Sequence, residues 1–198
     1  MPDFGLIAVA GIVGVGKTTL AEGLADILPG RVILEEYERN PFLAAEFAGQ
    51  KGAALPSELF FLLSRARQLH KRSLAEDETV ICDYLFDKNR LYARMNLDDD
   101  QLDVYRAVEK DIEPHLAAPD MVIYLQDSIE NCLDRIVRRG RAYERTITGA
   151  WLRRLQAAYE ELLQNWRRCP LLRIDCGRRD LRQKETVRRI ARQLLCPI

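Results

Sequence analysis

Apolar positions along this chain follow two different periods. Short runs rich in β-branched residues at 6–10, 32–34, 79–82, 121–125 and 172–174 read as strands. Between them, apolar residues return every three to four positions, which predicts helices over 17–27, 57–75, 88–95, 102–117, 129–138, 150–166 and 184–195. The acidic run Asp98, Asp99, Asp100 precedes one of these patterns and suits a helix start better than a metal cluster. Strand and helix in alternation is the βα signature, so the expected fold class is α/β, a five-stranded parallel sheet with helices on both faces. Ligands bind such sheets at the carboxyl ends of the strands, and the residues just beyond each strand are therefore the ones that matter chemically.

Length and charge narrow the picture. The 198 residues suit one compact domain spanning 1–198, with no Pro/Ser/Gly-rich linker dividing them. Thirty Lys and Arg cancel thirty Asp and Glu, so no global field favours nucleic acid or an anionic membrane surface, and the expected partner is a small molecule. No apolar run approaches the roughly 18 residues a bilayer requires, and the start MPDFGLIAVAG carries no charged leader, so a cytoplasmic location is expected. Cys82, Cys132, Cys169, Cys176 and Cys196 form no CxxC pair and have no His at ligand spacing, which predicts reduced, mostly buried thiols rather than zinc.

Directly after the first strand, GIVGVGKTT fits the phosphate-binding pattern GxxxxGK(S/T). Gly11, Ile12, Val13, Gly14, Val15, Gly16, Lys17, Thr18 and Thr19 are expected to wrap a nucleoside triphosphate. Backbone N–H groups face the phosphates, Lys17 adds a cation, Thr18 offers a hydroxyl to Mg²⁺, and the next helix points its positive end at the same anion. The implied cofactors are ATP and Mg²⁺.

Three further clusters fall after strands. Glu35 and Glu36 follow the second, Asp83 follows the third, and RIVRRGRAYER ends the helix after the fourth. Phosphoryl transfer requires such parts: one carboxylate to accept a hydroxyl proton, another to hold Mg²⁺ or its waters, and arginines to meet the spreading charge. Arg135 and Arg139 lie four apart on one helix face, with Arg141 just past Gly140, and these three are the expected catalytic arginines. Arg138 and Arg145 read equally well as a solvated basic face.

In order along the chain, GIVGVGKTTL, LEEYERNPFL, SELFFLLSRARQL, CDYLFDKNRLYA, PDMVIYL and RIVRRGRAYE resemble the bacterial deoxynucleoside kinases of the deoxyguanosine and deoxyadenosine kinase type. The resemblance implies a P-loop kinase fold with an arginine-rich lid, transfer of the ATP γ-phosphate to a deoxynucleoside 5′-hydroxyl, and a homodimer paired through the long helices at 57–75 and 102–117. It makes Glu35 the general base and places Asp83 with Thr18 near Mg²⁺. Tyr84 stands where animal-type relatives carry Arg, a missing charge that the lid arginines are expected to replace. Phe47, Glu58, Arg65, Asn89 and Glu144 fall at substrate-binding positions. Phe47 replaces a Tyr that contacts the sugar, Ala10 replaces a common Glu, Asn89 is placed to orient Arg65, and Glu144 matches a residue that holds the 3′-hydroxyl.

Base choice follows from hydrogen-bond chemistry. A carboxylate at Glu58 only accepts, which suits the N1–H and N2–H₂ donors of guanine better than adenine. Arg65, seven residues on, is suited to guanine O6 and N7. Deoxyguanosine is thus the expected substrate, with deoxyadenosine or broad specificity as the alternative. Glu58 paired to Arg65 on a solvated helix face is the plainer reading of the same residues. Two other functions stay open: a different P-loop small-molecule kinase, such as a nucleoside monophosphate kinase, and a nucleotide-binding regulatory module without turnover.

Overall fold

The computed structural model describes residues 4–74 and 78–195; Cys196 and the expected helix end at Ala75 lie outside the described residues. Five strands, β1 (Leu6–Ala10), β2 (Gly30–Ile33), β3 (Thr79–Cys82), β4 (Met121–Gln126) and β5 (Leu171–Asp175), form one sheet in the order β2-β3-β1-β4-β5, every pair parallel. All five residues of β1 are buried, as a central strand covered on both faces demands. Around the sheet run α1 (Lys17–Ala25), α2 (Leu43–Phe47), α3 (Ala54–Leu69), α4 (Lys88–Asn96), α5 (Asp99–Ile112), α6 (Ile129–Arg139), α7 (Gly149–Gln164) and α8 (Lys184–Leu195).

β2, β3 and β1 are parallel neighbours, so the loops leaving them lie side by side at the carboxyl end of the sheet. The core packs Ile7, Val9, Leu20, Leu24, Ile123, Leu155 and Ile190 into one apolar cluster, while Leu6, Val80 and Cys82 join Leu69 of α3 in another. Adjacent strand residues point to opposite faces, and apolar packing covers both. The four described cysteines are free thiols, buried except for the half-buried Cys169.

Two helices differ from the periodicity. The third ends at Leu69 rather than Ala75, because His70 turns extended and opens a 3₁₀ turn at Lys71–Ser73. The fifth begins at Asp99, where the Asp98 side chain accepts from the Gln101 N–H at 2.9 Å, and ends at Ile112 ahead of Pro114. Short α2 carries no clear period in the sequence and was not anticipated. Among the described residues no helix is long and apolar enough to cross a membrane.

Candidate active site

Residues 11–16 turn from β1 into α1, and Val13 and Gly14 of this turn line a cleft of about 590 Å³, a volume suited to one small ligand. Gly14 sits at φ +82, and a Cβ there would lie 2.5 Å from the Cys132 carbonyl oxygen, so the loop docks on α6 only with glycine. Lys17 lines the cleft and donates from Nζ to the Ile12 carbonyl at 2.9 Å. Burial, then the Lys88 cation, push its pKa down to about 8 against the pull of Asp83 and Glu35. An anion in the cradle would restore its full charge.

Asp83 cross-links the loops after β1, β2 and β3. Its Oδ2 accepts from the Thr18 hydroxyl at 2.6 Å and its Oδ1 from the Glu35 backbone N–H at 2.9 Å. Thr18 and Asp83 are hard oxygen donors beside the phosphate cradle, a set that fits Mg²⁺ shared with phosphates. Among the described residues no group of three or more His, Cys, Asp or Glu is placed to hold a metal. Such an ion would therefore take most of its shell from phosphate and water.

Of the two carboxylates after β2, only Glu35 lines the cleft. Glu36 accepts from Ser64 at 2.6 Å and pairs with Arg39 and Arg67 at the surface. Glu35 accepts from Arg65 Nε at 2.8 Å, from Arg65 Nη2, and from Lys88 Nζ at 2.8 and 3.1 Å. Burial opposes the charge of Glu35, yet the Arg65 and Lys88 cations prevail and hold its carboxyl well below the usual range. Arg65 also donates to Asn89 Oδ1, the orienting contact expected of Asn89, and its guanidinium lies 4.6 Å from the centre of the Phe61 ring.

Lys88 was missed by the sequence reading. It opens α4 five residues after Asp83, and as a lone Lys at a helix start it gave no signal except its place in CDYLFDKN. It brings a cation onto Glu35, whereas the arginines of the lid are held elsewhere. Tyr84 itself is buried and donates to Gln68 Oε1 at 2.7 Å.

Beyond Glu35 the cleft continues between aromatic rings. Phe47, at the end of α2, lies 5.6 Å from Tyr143 and 6.5 Å from Trp151 between ring centres, and Tyr92 lies 5.9 Å from Trp151. At its far end is Glu58, which makes no ion pair with Arg65. Instead Asn96 Nδ2 donates to Glu58 Oε1 at 2.7 Å and to Glu46 Oε1 at 2.8 Å. Glu58 therefore faces the cleft rather than solvent, contrary to the plainer reading of a charged helix surface.

The three arginines divide between two places. Gly140, at φ +71, ends α6 in the left-handed region and starts a 3₁₀ turn at Ala142–Thr146. Arg139 donates to Glu144 at 3.0 and 2.6 Å, and Arg141 lies 3.8 Å from the Tyr37 ring centre while donating to the Tyr37 hydroxyl. Both line the main cleft, as does Glu144. Arg135 instead donates to Asp127 at 2.5 Å and to the Gly14 carbonyl at 3.3 Å, bordering a second groove on the other side of the phosphate loop. Arg178, Arg179 and Arg182 line that groove too.

In sequence and in fold the chain is similar to deoxynucleoside kinases that differ among themselves in the base they are named for. The sequence model of a family described as "Deoxynucleoside kinase" matches residues 7–194. The chain is 35% identical over 157 residues to the deoxyguanosine kinase of Bacillus subtilis (strain 168), covering 78% of this chain and 76% of that one. To the deoxyadenosine/deoxycytidine kinase of the same organism it is 28% identical over 192 residues, covering 93% and 88%. A solved structure of deoxyadenosine kinase from M. mycoides, with products dCMP and a flexible dCDP bound, superposes at a TM-score of 0.81 with 26% identity, covering 96% of this chain and 98% of that one.

Proposed function

The chain belongs to the deoxynucleoside kinase family and transfers phosphate from ATP to deoxynucleosides, and within that family we propose that its acceptor is the 5′-hydroxyl of a purine deoxynucleoside, deoxyguanosine first. The observation that carries this reading is the course of one cleft. It runs from Lys17, Thr18 and Asp83, past the carboxylate of Glu35, to a floor of Glu58 between aromatic rings. Arg65 and Lys88 are both engaged by Glu35, and Glu46 and Glu58 line the same cleft, so a substrate phosphate would meet carboxyl groups and cations already paired, which favours an uncharged nucleoside over a nucleoside monophosphate. One sheet with a shared core supports treating residues 1–198 as a single kinase domain.

In the reaction so proposed, Glu35 takes the proton of the 5′-hydroxyl as its oxygen meets the γ-phosphate. A carboxyl held far below its usual range is a weak base. The transition state of phosphoryl transfer is loose, however, and leaves the attacking oxygen little changed until late, so orientation counts more than basicity. Lys88 and Arg65 supply that orientation. Lys17, Arg139 and Arg141 meet the charge on the transferred group, and Mg²⁺ on Thr18 and Asp83 would neutralise the phosphates. Arg135 and the second groove are assigned to the donor nucleotide. Glu144 is assigned to the sugar. Exposed Leu63 on α3 and Val104 on α5, 54% and 52% accessible, support pairing two copies through these helices.

Steady-state rates with four deoxynucleosides and their ribose counterparts, with ATP and Mg²⁺, test the proposal. At about pH 9, where Glu58 is ionised, deoxyguanosine is expected to give the highest kcat/KM; deoxyadenosine in first place there would overturn the guanine preference, a pyrimidine the purine assignment, and no turnover with any of them the function. Phe47→Tyr adds a hydroxyl beside the expected sugar position. One new hydrogen bond contributes about 1 kcal/mol, so KM is expected to fall about fivefold. An unchanged KM would place the sugar elsewhere.

A further inference from the structure

Two carboxyl groups meet on one amide nitrogen at the floor of the cleft. Glu46 comes from α2, Glu58 from α3 and Asn96 from α4, residues far apart in sequence. Glu58 is 2% exposed, and its Oε2 is buried with no hydrogen-bond partner although the residue lines the cleft. An unsatisfied buried oxygen of this kind is costly unless a ligand or a proton completes it. Seven residues along α3, Glu58 stands roughly 10 Å from Arg65, which holds Glu35. That span is of the order of a nucleoside from its 5′-oxygen to the far edge of its base.

We propose that Glu46, Glu58 and Asn96 act together as the reader of the purine edge, and that one proton shared by the two carboxyls decides which purine is taken. The proposal rests on the acceptor reading above and deepens it. With that proton lost, Glu58 is a carboxylate and accepts from guanine N1–H and N2–H₂. With the proton on Glu58, its O–H donates to adenine N1 while its other oxygen accepts from N6–H₂. The carboxyl then reads adenine as an amide would. Two ionised carboxyls on a single Asn side chain in a buried site repel one another, so the pair holds its proton to higher pH than a lone carboxyl would.

The surroundings agree. Burial first, then the Glu46 charge, raise Glu58, against the opposing pull of Asn96 and Arg65; burial likewise raises Glu46. The other titratable groups facing Glu58 are Arg65 on its own helix, Tyr92 from α4 and Tyr105 from α5, and burial raises both phenols. None of these changes charge near neutral pH, which leaves the carboxyl pair as the responsive element. Asn96 ties the pair to α4, the helix that Lys88 opens.

The ratio of kcat/KM for deoxyguanosine over deoxyadenosine, measured from about pH 6 to about pH 9, tests the idea. The ratio is expected to rise at least tenfold across that range in the wild type. In Glu46→Gln, Glu58 loses its like-charged neighbour and ionises lower, so the rise moves to more acidic pH and the ratio at neutral pH increases about fivefold. Glu58→Gln is expected to favour deoxyadenosine with no dependence on pH. A flat wild-type ratio, with both purines phosphorylated, would overturn the shared-proton reader and leave the kinase assignment standing. Absence of turnover on either purine would remove both. The wild-type profile decides even where a variant fails to fold.

Discussion

Glu35→Gln is expected to lower kcat by about 10²–10⁴-fold, the usual worth of a positioned general base, while ATP affinity stays within a few-fold of wild type. The amide keeps the size of the side chain and one acceptor oxygen, but it cannot take the hydroxyl proton. The donor groups, Lys17 with Thr18 and Asp83, are separate side chains, and the phosphate loop is fastened to α6 through the close fit at Gly14. Chemistry and donor binding should therefore part company. Steady-state kinetics alongside equilibrium ATP binding checks this, and binding also certifies that the variant is folded. Wild-type turnover would remove Glu35 as the base.

Arg65→Met is expected to cost about 3–5 kcal/mol of stability, because it strips one of two cations from the half-buried Glu35 carboxylate and the donor from the buried Asn89 amide oxygen. Arg65 is 3% exposed and serves Glu35 and Asn89 at once. Lys88 remains on Glu35, which puts the expected loss toward the lower end. Urea unfolding at neutral pH measures it, and a loss below about 1 kcal/mol would show that the pair is solvated. The pH dependence has a definite sign. The Glu35 carboxyl lies lower in the folded chain than its unfolded value of about 4.3, so its stabilisation is present above that value and is lost as the pH falls further. Methionine at 65 weakens the depression, and the variant is expected to lose less stability on acidification than the wild type.

The strands were legible to within one or two residues because a parallel sheet buries whole apolar runs bounded by polar turns. Helix ends were less so. Leu74 prolonged the apolar rhythm past Leu69, although the backbone had already turned extended at His70, and the Asp98 cap moved the start of α5 forward. In the site, the phosphate loop was readable because its glycines and Lys17 act within nine residues. Glu35 and Asp83 followed from their places after strands, and Arg65 from family resemblance. Lys88 was not readable, since its partner lies 53 residues away and only the folded chain brings them together. The same holds for Glu46 and Asn96, 50 residues apart, and for Arg178 and Arg179 on the second groove.

Asp83 divides its two oxygens between the Thr18 hydroxyl and the Glu35 backbone amide. In the mechanism proposed above, the gap that the phosphoryl group crosses is gauged by the length of this one short side chain. A glutamate there would add a methylene and widen that gap, so the spacing of donor and acceptor is a molecular dimension with very little tolerance.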